Sequence, residues 1–184
     1  MIHKAIHRVK RFLSRAMRIG AVAHFSGHVF TRLARYLTVR KFEPDLIMEF
    51  GAGMGTMTRH IVRQWPDSMV KAFEIDDERF ATLKKYVWPS LQCIHGSCLD
   101  ARDHLAGQKV SLVISTLPLS LFSVADRDAL LATVHDILTD DGLFVQFQYS
   151  RLNEKDIQRH LDIIDRLYEW RNIPPSYIFI AKKK

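Results

Sequence analysis

Cysteine is scarce in this chain of 184 residues, and the two that occur, Cys93 and Cys98, do not form a Cys-x-x-Cys pair. Neither a zinc site nor a disulfide framework is therefore indicated, and a reducing compartment fits best. No run of 18 or more apolar residues exists, so the sequence predicts no membrane-spanning helix. Glycine and proline, at 8 and 6 residues, are too few for a collagen-like chain. The length indicates one globular domain, with or without an appendage.

Acidic residues are missing from the first 40 positions, which hold nine of the 27 lysines and arginines. The rest of the chain is close to neutral, so the net charge of +7 is concentrated at the N-terminus. A cationic segment of this kind binds an anionic partner, such as a lipid surface, a nucleic acid or an acidic protein.

Residues 2–19 have the periodicity of an amphipathic helix, with apolar and basic residues recurring every three or four positions on opposite faces. The pattern is typical of a helix that lies in a membrane interface. A helix packed on the domain with a solvated basic face, and a helix that grips nucleic acid, are the alternatives. We predict an anionic membrane surface as the partner of residues 2–19. We also predict a cytoplasmic protein, peripheral on the inner face of the cytoplasmic membrane.

From residue 45 onward the chain alternates between short apolar runs and amphipathic stretches. The apolar runs predict strands at Leu46–Phe50, Met69–Ile75, Leu91–His95, Val110–Ser115, Leu143–Tyr149 and Tyr177–Ala181. The amphipathic stretches predict helices at about 56–65, 77–87, 124–139 and 153–166, and an earlier one at 27–39. Strands that alternate with helices indicate an α/β fold with a mostly parallel sheet covered on both faces. The segments 167–173 and 176–182 flank Pro174-Pro175 and predict an antiparallel hairpin at the sheet edge.

A glycine cluster follows the first predicted strand, in the order Glu49-Phe-Gly51-Ala-Gly53-Met-Gly55. Glycines at such a turn let the backbone approach a ligand closely, and the helix that follows offers free N–H groups to an anionic group. The spacing fits neither the dinucleotide fingerprint nor a P-loop. Glu74 lies at the end of the second predicted strand, where an acid accepts hydrogen bonds from ribose hydroxyls.

With this glycine motif and this acid, residues 44–182 resemble the class I S-adenosylmethionine-dependent methyltransferases. The resemblance implies a doubly wound, seven-stranded Rossmann-like fold, with S-adenosylmethionine as cofactor and S-adenosylhomocysteine as product. It divides the chain into a basic arm with a capping helix over 1–40 and a methyltransferase domain over 41–184. A domain that binds another nucleotide, or a copy that has lost binding, is the alternative.

The resemblance also implies roles for the residues that match the family's motifs. Glu49 would orient the loop or the cofactor ammonium, Glu74 would hold the ribose, and Ile75 would pack on adenine. Ser97 stands where the family often has an Asp that accepts from the adenine amino group. The cofactor-binding residues that it implies are Glu49, Gly51, Ala52, Gly53, Gly55, Glu74, Ile75, Ser97, Cys98 and Ser115.

The fourth predicted strand leads into Thr116-Leu117-Pro118-Leu119, where the methyl acceptor usually sits in this family. Adenine methyltransferases have Asn-Leu-Pro-Tyr or a close variant here, and this chain has neither the amide nor the aromatic ring that stacks on a base. The segment is similar instead to the Ser-Gly-Leu-Pro-Leu of the small bacterial phospholipid N-methyltransferases. Three further segments resemble that family: Gly20–Ser26, Val145–Ser150 and Asn172–Ser176.

This second resemblance implies methyl transfer to the amine of a phospholipid headgroup, such as phosphatidylethanolamine, with lipid as the partner and no metal. We expect backbone carbonyls near Ser115 to orient the amine, His24 to be a possible base, and Tyr149 to bind the lipid phosphate or the amine. The candidate catalytic residues are thus Tyr149, His24 and Ser115. An rRNA or other nucleic-acid adenine N-methyltransferase, a small-amine methyltransferase and a non-catalytic binding module are the alternatives.

Overall fold

A computed structural model describes residues 25–184, which form a seven-stranded sheet with helices on both faces. In chain order the elements are α1 (Gly27–Val39), β1 (Leu46–Phe50), α2 (Thr56–Gln64), β2 (Met69–Glu74), α3 (Asp77–Leu83), β3 (Leu91–His95), β4 (Val110–Ser115), α4 (Val124–Ile137), β5 (Leu138–Gln148), α5 (Glu154–His160), β6 (Leu161–Glu169) and β7 (Ser176–Lys183). Short 3-10 helices follow β3 at Cys98–His104 and β4 at Leu119–Leu121.

The strand order is β3-β2-β1-β4-β5-β7-β6, with β1 to β5 parallel. Strand β7 runs antiparallel to both β5 and β6 and so forms the late hairpin. The direction in which successive strands are added reverses between β1 and β4. These features confirm the predicted fold, a doubly wound and mostly parallel sheet of Rossmann-like methyltransferase type.

Burial on both faces explains why the central strands read as continuous apolar runs. Every residue of β1 is buried, and β4 is buried at all positions but one. One face of the sheet packs on α4 and α5, and the other on α1 and α2. Five apolar residues of α1 recur at helical spacing and are buried in the second of these cores: Val29, Phe30, Leu33, Ala34 and Leu37.

One predicted helix is wrong over half its length. The stretch 153–166 was expected to be helical, but α5 ends at His160 and β6 begins at Leu161. The predicted strand at 167–173 is correspondingly displaced, because residues 170–175 form the turn between β6 and β7. Pairing of β6 with β7 along eight registered positions overrides the local helical pattern, since strand preference depends on the neighbouring strand.

Other boundaries differ by a few residues. Helix α3 ends at Leu83 instead of near 87, and β5 begins at Leu138 instead of Leu143. The predicted arm at residues 2–19 lies outside the described residues. Between 25 and 184, none of the helices combines the length and the apolar content that crossing a bilayer needs.

Candidate active site

A cleft lies at the carboxyl ends of β1, β2 and β3, beside the reversal of strand order between β1 and β4. Open α/β sheets bind ligands at such a place because the loops of adjacent strands diverge there. The cleft and the solvent at its mouth together take up about 460 Å³. Its lining is mostly apolar and consists of Gly51, Phe73, Glu74, Ile75, Gly96, Ser97, Cys98, Leu99, Leu117 and Phe122.

The cleft brings together half of the cofactor-binding residues expected from the sequence. Those that line it are Gly51, Glu74, Ile75, Ser97 and Cys98. The others are not part of its lining: Glu49, Ala52, Gly53, Gly55 and Ser115. Phe73, Gly96, Leu99, Leu117 and Phe122 line it without having been predicted.

The backbone of the glycine loop has a conformation that residues other than glycine rarely adopt. Gly51, Gly53 and Gly55 have φ angles of +81°, +59° and +85°, in the left-handed region that favours glycine. A Cβ at Gly51 would lie 2.8 Å from the Leu117 side chain, and one at Gly55 would lie 2.7 Å from the Tyr86 ring. A Cβ at Gly53 would meet no atom within 4 Å. Gly53 therefore borders open space, whereas the other two glycines are closely packed.

Glu74 joins the glycine loop to the end of β2. Its Oε2 accepts a hydrogen bond from the Gly53 N–H at 2.7 Å. Its Oε1 accepts from the N–H groups of Ile75 and Asp76, both at 2.8 Å. A carboxylate offers about four lone-pair positions, so three backbone donors leave capacity for a further hydroxyl donor. The carboxylate is thus held in place at the cleft wall with room for a ligand.

Glu49 is a fully buried carboxyl group beneath the glycine loop. Its Oε2 accepts a hydrogen bond from Thr58 Oγ1 at 2.6 Å, whereas its Oε1 has no hydrogen-bond partner. Burial raises the pKa of Glu49 to about 8, against the lowering effect of the Thr58 hydrogen bond and with a further rise from the charge of Glu74. A buried carboxyl with one unpartnered oxygen is suited to a cationic ligand group.

Ser97 and Cys98 begin the 3-10 helix that follows β3. The Ser97 hydroxyl oxygen accepts from the Leu99 N–H at 3.2 Å, so Ser97 caps this helix while lining the cleft. Its hydroxyl hydrogen stays available as a donor. Burial raises the pKa of the Cys98 thiol to about 12, so Cys98 is an uncharged, apolar part of the wall.

Thr116 connects the segment after β4 to the glycine loop. It stands where adenine methyltransferases have Asn or a variant. Its Oγ1 donates to the Gly51 carbonyl oxygen at 2.8 Å. Its N–H donates to the carbonyl oxygen of Phe50 at 3.1 Å. The Thr116 side chain therefore holds the loop that approaches the cofactor.

Two glutamines on β5 occupy the carbonyl groups that we expected to orient the amine. The Gln146 Nε2 lies 2.9 Å from Leu117 O and 3.2 Å from Ser115 O, and the Gln148 Nε2 lies 3.0 Å from Leu117 O. Two donors fill both lone pairs of the Leu117 carbonyl, so it has no capacity left for a substrate amine. The Ser115 side chain is fully buried, with its Oγ accepting from the Leu117 N–H, which does not support direct contact with the acceptor.

Tyr149 directly follows β5 and packs against Phe25. The Phe25 ring stacks on the Tyr149 ring with centroids 4.9 Å apart, and the Ser26 N–H donates to Asn172 Oδ1 at 2.8 Å. Burial raises the pKa of Tyr149 to about 12, although a hydrogen bond with the Asn172 side chain lowers it. His24 lies just before the described residues, so its role as a base stays a prediction.

Arg127 on α4 anchors one wall of the cleft. Its Nη1 donates to the carbonyl oxygen of Phe122 at 2.7 Å, and its Nε lies 2.8 Å from Asp156 Oδ2 in a mostly buried ion pair. No role was predicted for Arg127 or Phe122, and the two glutamines entered only as part of the resemblance at Val145–Ser150. A buried arginine or glutamine is detectable only as a polar residue within an apolar element, and that signal does not say which carbonyls it reaches.

Metal ligands do not gather anywhere in residues 25–184. No group of three or more histidine, cysteine, aspartate or glutamate side chains is placed to hold an ion there.

A profile of the methyltransferase domain family matches residues 47–142, which is more than half of the chain. Curated protein sequences contain no match. Among solved structures, the TehB-like SAM-dependent methyltransferase from Corynebacterium glutamicum is similar with a TM-score of 0.64 and 16% identity, over 97% of this chain and 99% of that one. Magnesium protoporphyrin IX methyltransferase (ChlM) from Synechocystis PCC 6803, with bound SAM, gives 0.68 and 13%, over 92% and 83%. TrmN from Thermus thermophilus gives 0.67 and 14%, over 83% and 48%.

At these identities the structural likeness shows the fold alone, and this chain spans about half the length of TrmN. The family match covers the glycine loop, Glu74 and the segment after β4. The protein belongs to the methyltransferase domain family and is a class I methyltransferase whose cofactor is S-adenosylmethionine.

Proposed function

We propose that this protein transfers a methyl group from S-adenosylmethionine to the amine of a phospholipid headgroup at an anionic membrane surface. The observation that carries the proposal is the pair of contacts made by Phe25 and Ser26. Phe25 stacks on Tyr149, and Ser26 is hydrogen-bonded to Asn172, at the carboxyl edge of the sheet. The 24 residues that precede Phe25 in the sequence carry six basic residues and no acidic one, and such a composition suits an anionic surface.

The residues that line the cleft, together with Glu49 and Gly53 of the adjoining glycine-loop segment, fit S-adenosylmethionine. The unpartnered Glu49 Oε1 suits the amino acid ammonium, the spare capacity of Glu74 suits ribose hydroxyls, and the open space at Gly53 lets the backbone lie close to a ligand. Ile75, Leu99 and Phe122 provide apolar surface for the adenine. When bound, the cofactor supplies a methyl group already activated on a sulfonium.

The protein's remaining task is alignment and exclusion of water, because an activated donor needs little further chemical assistance. Hydrogen bonds from Gln146 and Gln148 fix the backbone at Leu117. Thr116 connects the same segment to the glycine loop. Arg127 holds Phe122 against the cleft. These contacts make the surface against which the acceptor binds rigid.

Tyr149 does not take the amine proton at neutral pH. Its raised pKa of about 12 means that the phenol stays protonated, and a protonated phenol donates hydrogen bonds or offers its ring to a cation. We therefore propose a binding role for Tyr149 toward the headgroup, and leave proton removal to His24 or to solvent.

A nucleic-acid acceptor is the second candidate, favoured by the positive charge of the N-terminal residues. Against it, Thr116 and Leu119 supply neither the side-chain amide nor the ring that would hold a flipped base. The solved structures named above share the fold with this chain at 13–16% identity, so they leave the acceptor open.

The test is transfer of radiolabelled methyl from S-adenosylmethionine, in parallel, to anionic vesicles containing phosphatidylethanolamine and to total RNA. We expect label in the organic phase, and its loss in Glu74→Gln but not in the exposed-surface control Val87→Ser. Replacing Arg8, Arg11 and Arg15 by Glu should reduce both vesicle binding and lipid methylation, with binding of S-adenosylhomocysteine unchanged. Label in RNA alone would overturn the lipid proposal.

A further inference from the structure

The turn between β6 and β7 exposes two large apolar side chains. Trp170 is 70% exposed and Ile173 is 88% exposed. The other tryptophans differ, since Trp65 is buried and Trp88 is half-buried against the core. An exposed tryptophan and an exposed isoleucine in one turn present apolar surface that water solvates poorly.

Hydrogen bonds hold this turn in one shape, so the exposure does not come from a loose loop. Arg171 donates to the buried Glu169 through its backbone N–H at 3.0 Å and through its guanidinium at 2.9 and 3.0 Å. Asn172 Nδ2 donates to the carbonyl oxygen of Pro174 at 2.7 Å, while its Oδ1 accepts from Ser26. Glu169 and Asn172 are buried, while Trp170 and Ile173 are exposed.

The turn lies at the same edge of the sheet as the acceptor site. Gln148 at the end of β5 is paired with Tyr177 of β7, and Glu169 at the end of β6 is paired with Ser176. The six basic residues precede Ser26 in the sequence, and Ser26 is hydrogen-bonded to this turn. Arg171 and Arg32, whose charge helps to lower the pKa of Glu169, add positive charge nearby.

We infer that the tip of this turn, Trp170 with Ile173, inserts into the interface of an anionic lipid bilayer and sets the acceptor edge against it. Tryptophan is favoured at the level of the headgroups, where its ring is half in an apolar and half in a polar environment. The surrounding arginines match the anionic headgroups. This inference rests on the proposed function, because it takes the surface at this edge to be a membrane. It adds to residues 2–19 a second contact, made by the folded domain itself.

The test uses the fluorescence of Trp170 in the full-length protein with vesicles of phosphatidylglycerol, which offer no amine to methylate. The spectrum of Trp170→Phe is subtracted from that of the wild type, so the buried and half-buried tryptophans cancel. We expect the difference spectrum to shift to shorter wavelength on adding vesicles, and to be quenched by lipids brominated on the acyl chain. Neither change is expected with phosphatidylcholine vesicles.

A matched pair of substitutions measures how much the tip contributes to binding. Ile173→Ser should weaken partitioning into phosphatidylglycerol vesicles by about tenfold, as expected for a lost apolar contact. Val87→Ser is the control, because Val87 is 89% exposed and lies just before β3, at the opposite edge of the sheet. It should leave partitioning unchanged.

Three results would overturn the inference. One is a difference spectrum that vesicles do not change although the protein sediments with them. Another is an equal effect of Ile173→Ser and Val87→Ser. A third is a difference spectrum already at short wavelength in buffer, which would mean that another segment or a second copy covers Trp170. Lipid methylation without Trp170 insertion would leave the proposed function standing, and insertion without lipid methylation would leave only the membrane contact.

Discussion

The side-chain amide of Gln146 lies 2.9 Å from the carbonyl oxygen of Leu117, so β5 holds the backbone of the segment that follows β4. Gln148 donates to the same oxygen from the next inward-facing position of β5. The segment after β4 is therefore fixed by a hydrogen-bond network that is buried and local to this edge of the sheet.

Removing both glutamine donors should destabilise the protein more than the two single changes together predict. In Gln146→Met or Gln148→Met the Leu117 oxygen keeps one donor, whereas the double variant leaves it buried and unpartnered. We expect the double variant to lose about 1–3 kcal/mol of unfolding free energy from that group alone. Urea denaturation of the four proteins measures the coupling, and strict additivity would show that the shared oxygen is unimportant.

Alanine at the three loop glycines should separate folding from cofactor binding. Gly51→Ala and Gly55→Ala bring a Cβ against Leu117 and Tyr86, so both should lower the melting temperature clearly. Gly53→Ala meets no atom and should cost only about 1 kcal/mol for its left-handed backbone. We nonetheless expect it to weaken S-adenosylhomocysteine binding about tenfold, because the added carbon enters the space left for the ligand. Unchanged affinity in a folded Gly53→Ala protein would place the ligand elsewhere.

Cofactor binding should become tighter as the pH rises toward 8. With a pKa of about 8, Glu49 is mostly protonated at pH 6 and must ionise to pair with an ammonium. The affinity for S-adenosylhomocysteine should therefore increase between pH 6 and 7.5, approaching tenfold per pH unit, with release of a proton. Calorimetry in buffers of different ionisation enthalpy measures that proton.

Glu49→Gln is the control for this pH dependence. It should bind with a flat pH profile and more weakly than the wild type at pH 7.5. Without ligand, the native state keeps a proton that the unfolded chain releases above its ordinary pKa of 4.5, so wild-type stability falls as pH rises from about 5 to 8. Glu49→Gln should remove that fall, and a pH-dependent Glu49→Gln protein would assign the effect to another group.

The ion pair beneath the Trp170 turn should give the opposite pH dependence. Hydrogen bonds from Arg171 lower the pKa of Glu169 to about 2, so the pair stabilises the fold fully above the ordinary pKa of 4.5. Arg171→Met should lose about 1–3 kcal/mol at pH 7 because it leaves a buried carboxylate short of donors. The difference from the wild type should shrink as pH falls from about 5 toward 2, and Arg171→Lys should recover part of it. A difference that is constant with pH would contradict this role.

Local patterns were sufficient for the parallel half of the fold. Strand β1 and helix α1 lie where the apolar runs predict them, at Leu46–Phe50 and Gly27–Val39, because each buries a continuous or periodic apolar face. The secondary structure of the region after α4 is harder to predict from local patterns. Residues 161–166 fit a helix as well as a strand by local pattern, and only pairing with β7 decides for the strand.

The same division holds for the candidate site. Gly51, Gly55 and Glu74 are recognisable in the sequence because a tight turn and a carboxylate at a strand end have local signatures. Long-range contacts have no such local signature. Gln146 contacts Leu117 across 29 residues of chain, and Ser26 contacts Asn172 across 146 residues.

Composition and periodicity were enough to predict an α/β fold with a cationic N-terminal segment, because both depend on residue type and on spacing along the chain. The methyltransferase family was implied by the resemblance of the glycine motif and Glu74 to that family. The tertiary structure decided which groups meet: that the Leu117 carbonyl is already occupied, that Ser115 is buried, and that the Trp170 turn lies at the same edge of the sheet as the end of β5. Hydrogen-bond saturation and burial depend on neighbours that are distant in sequence, so they are properties of the packed molecule.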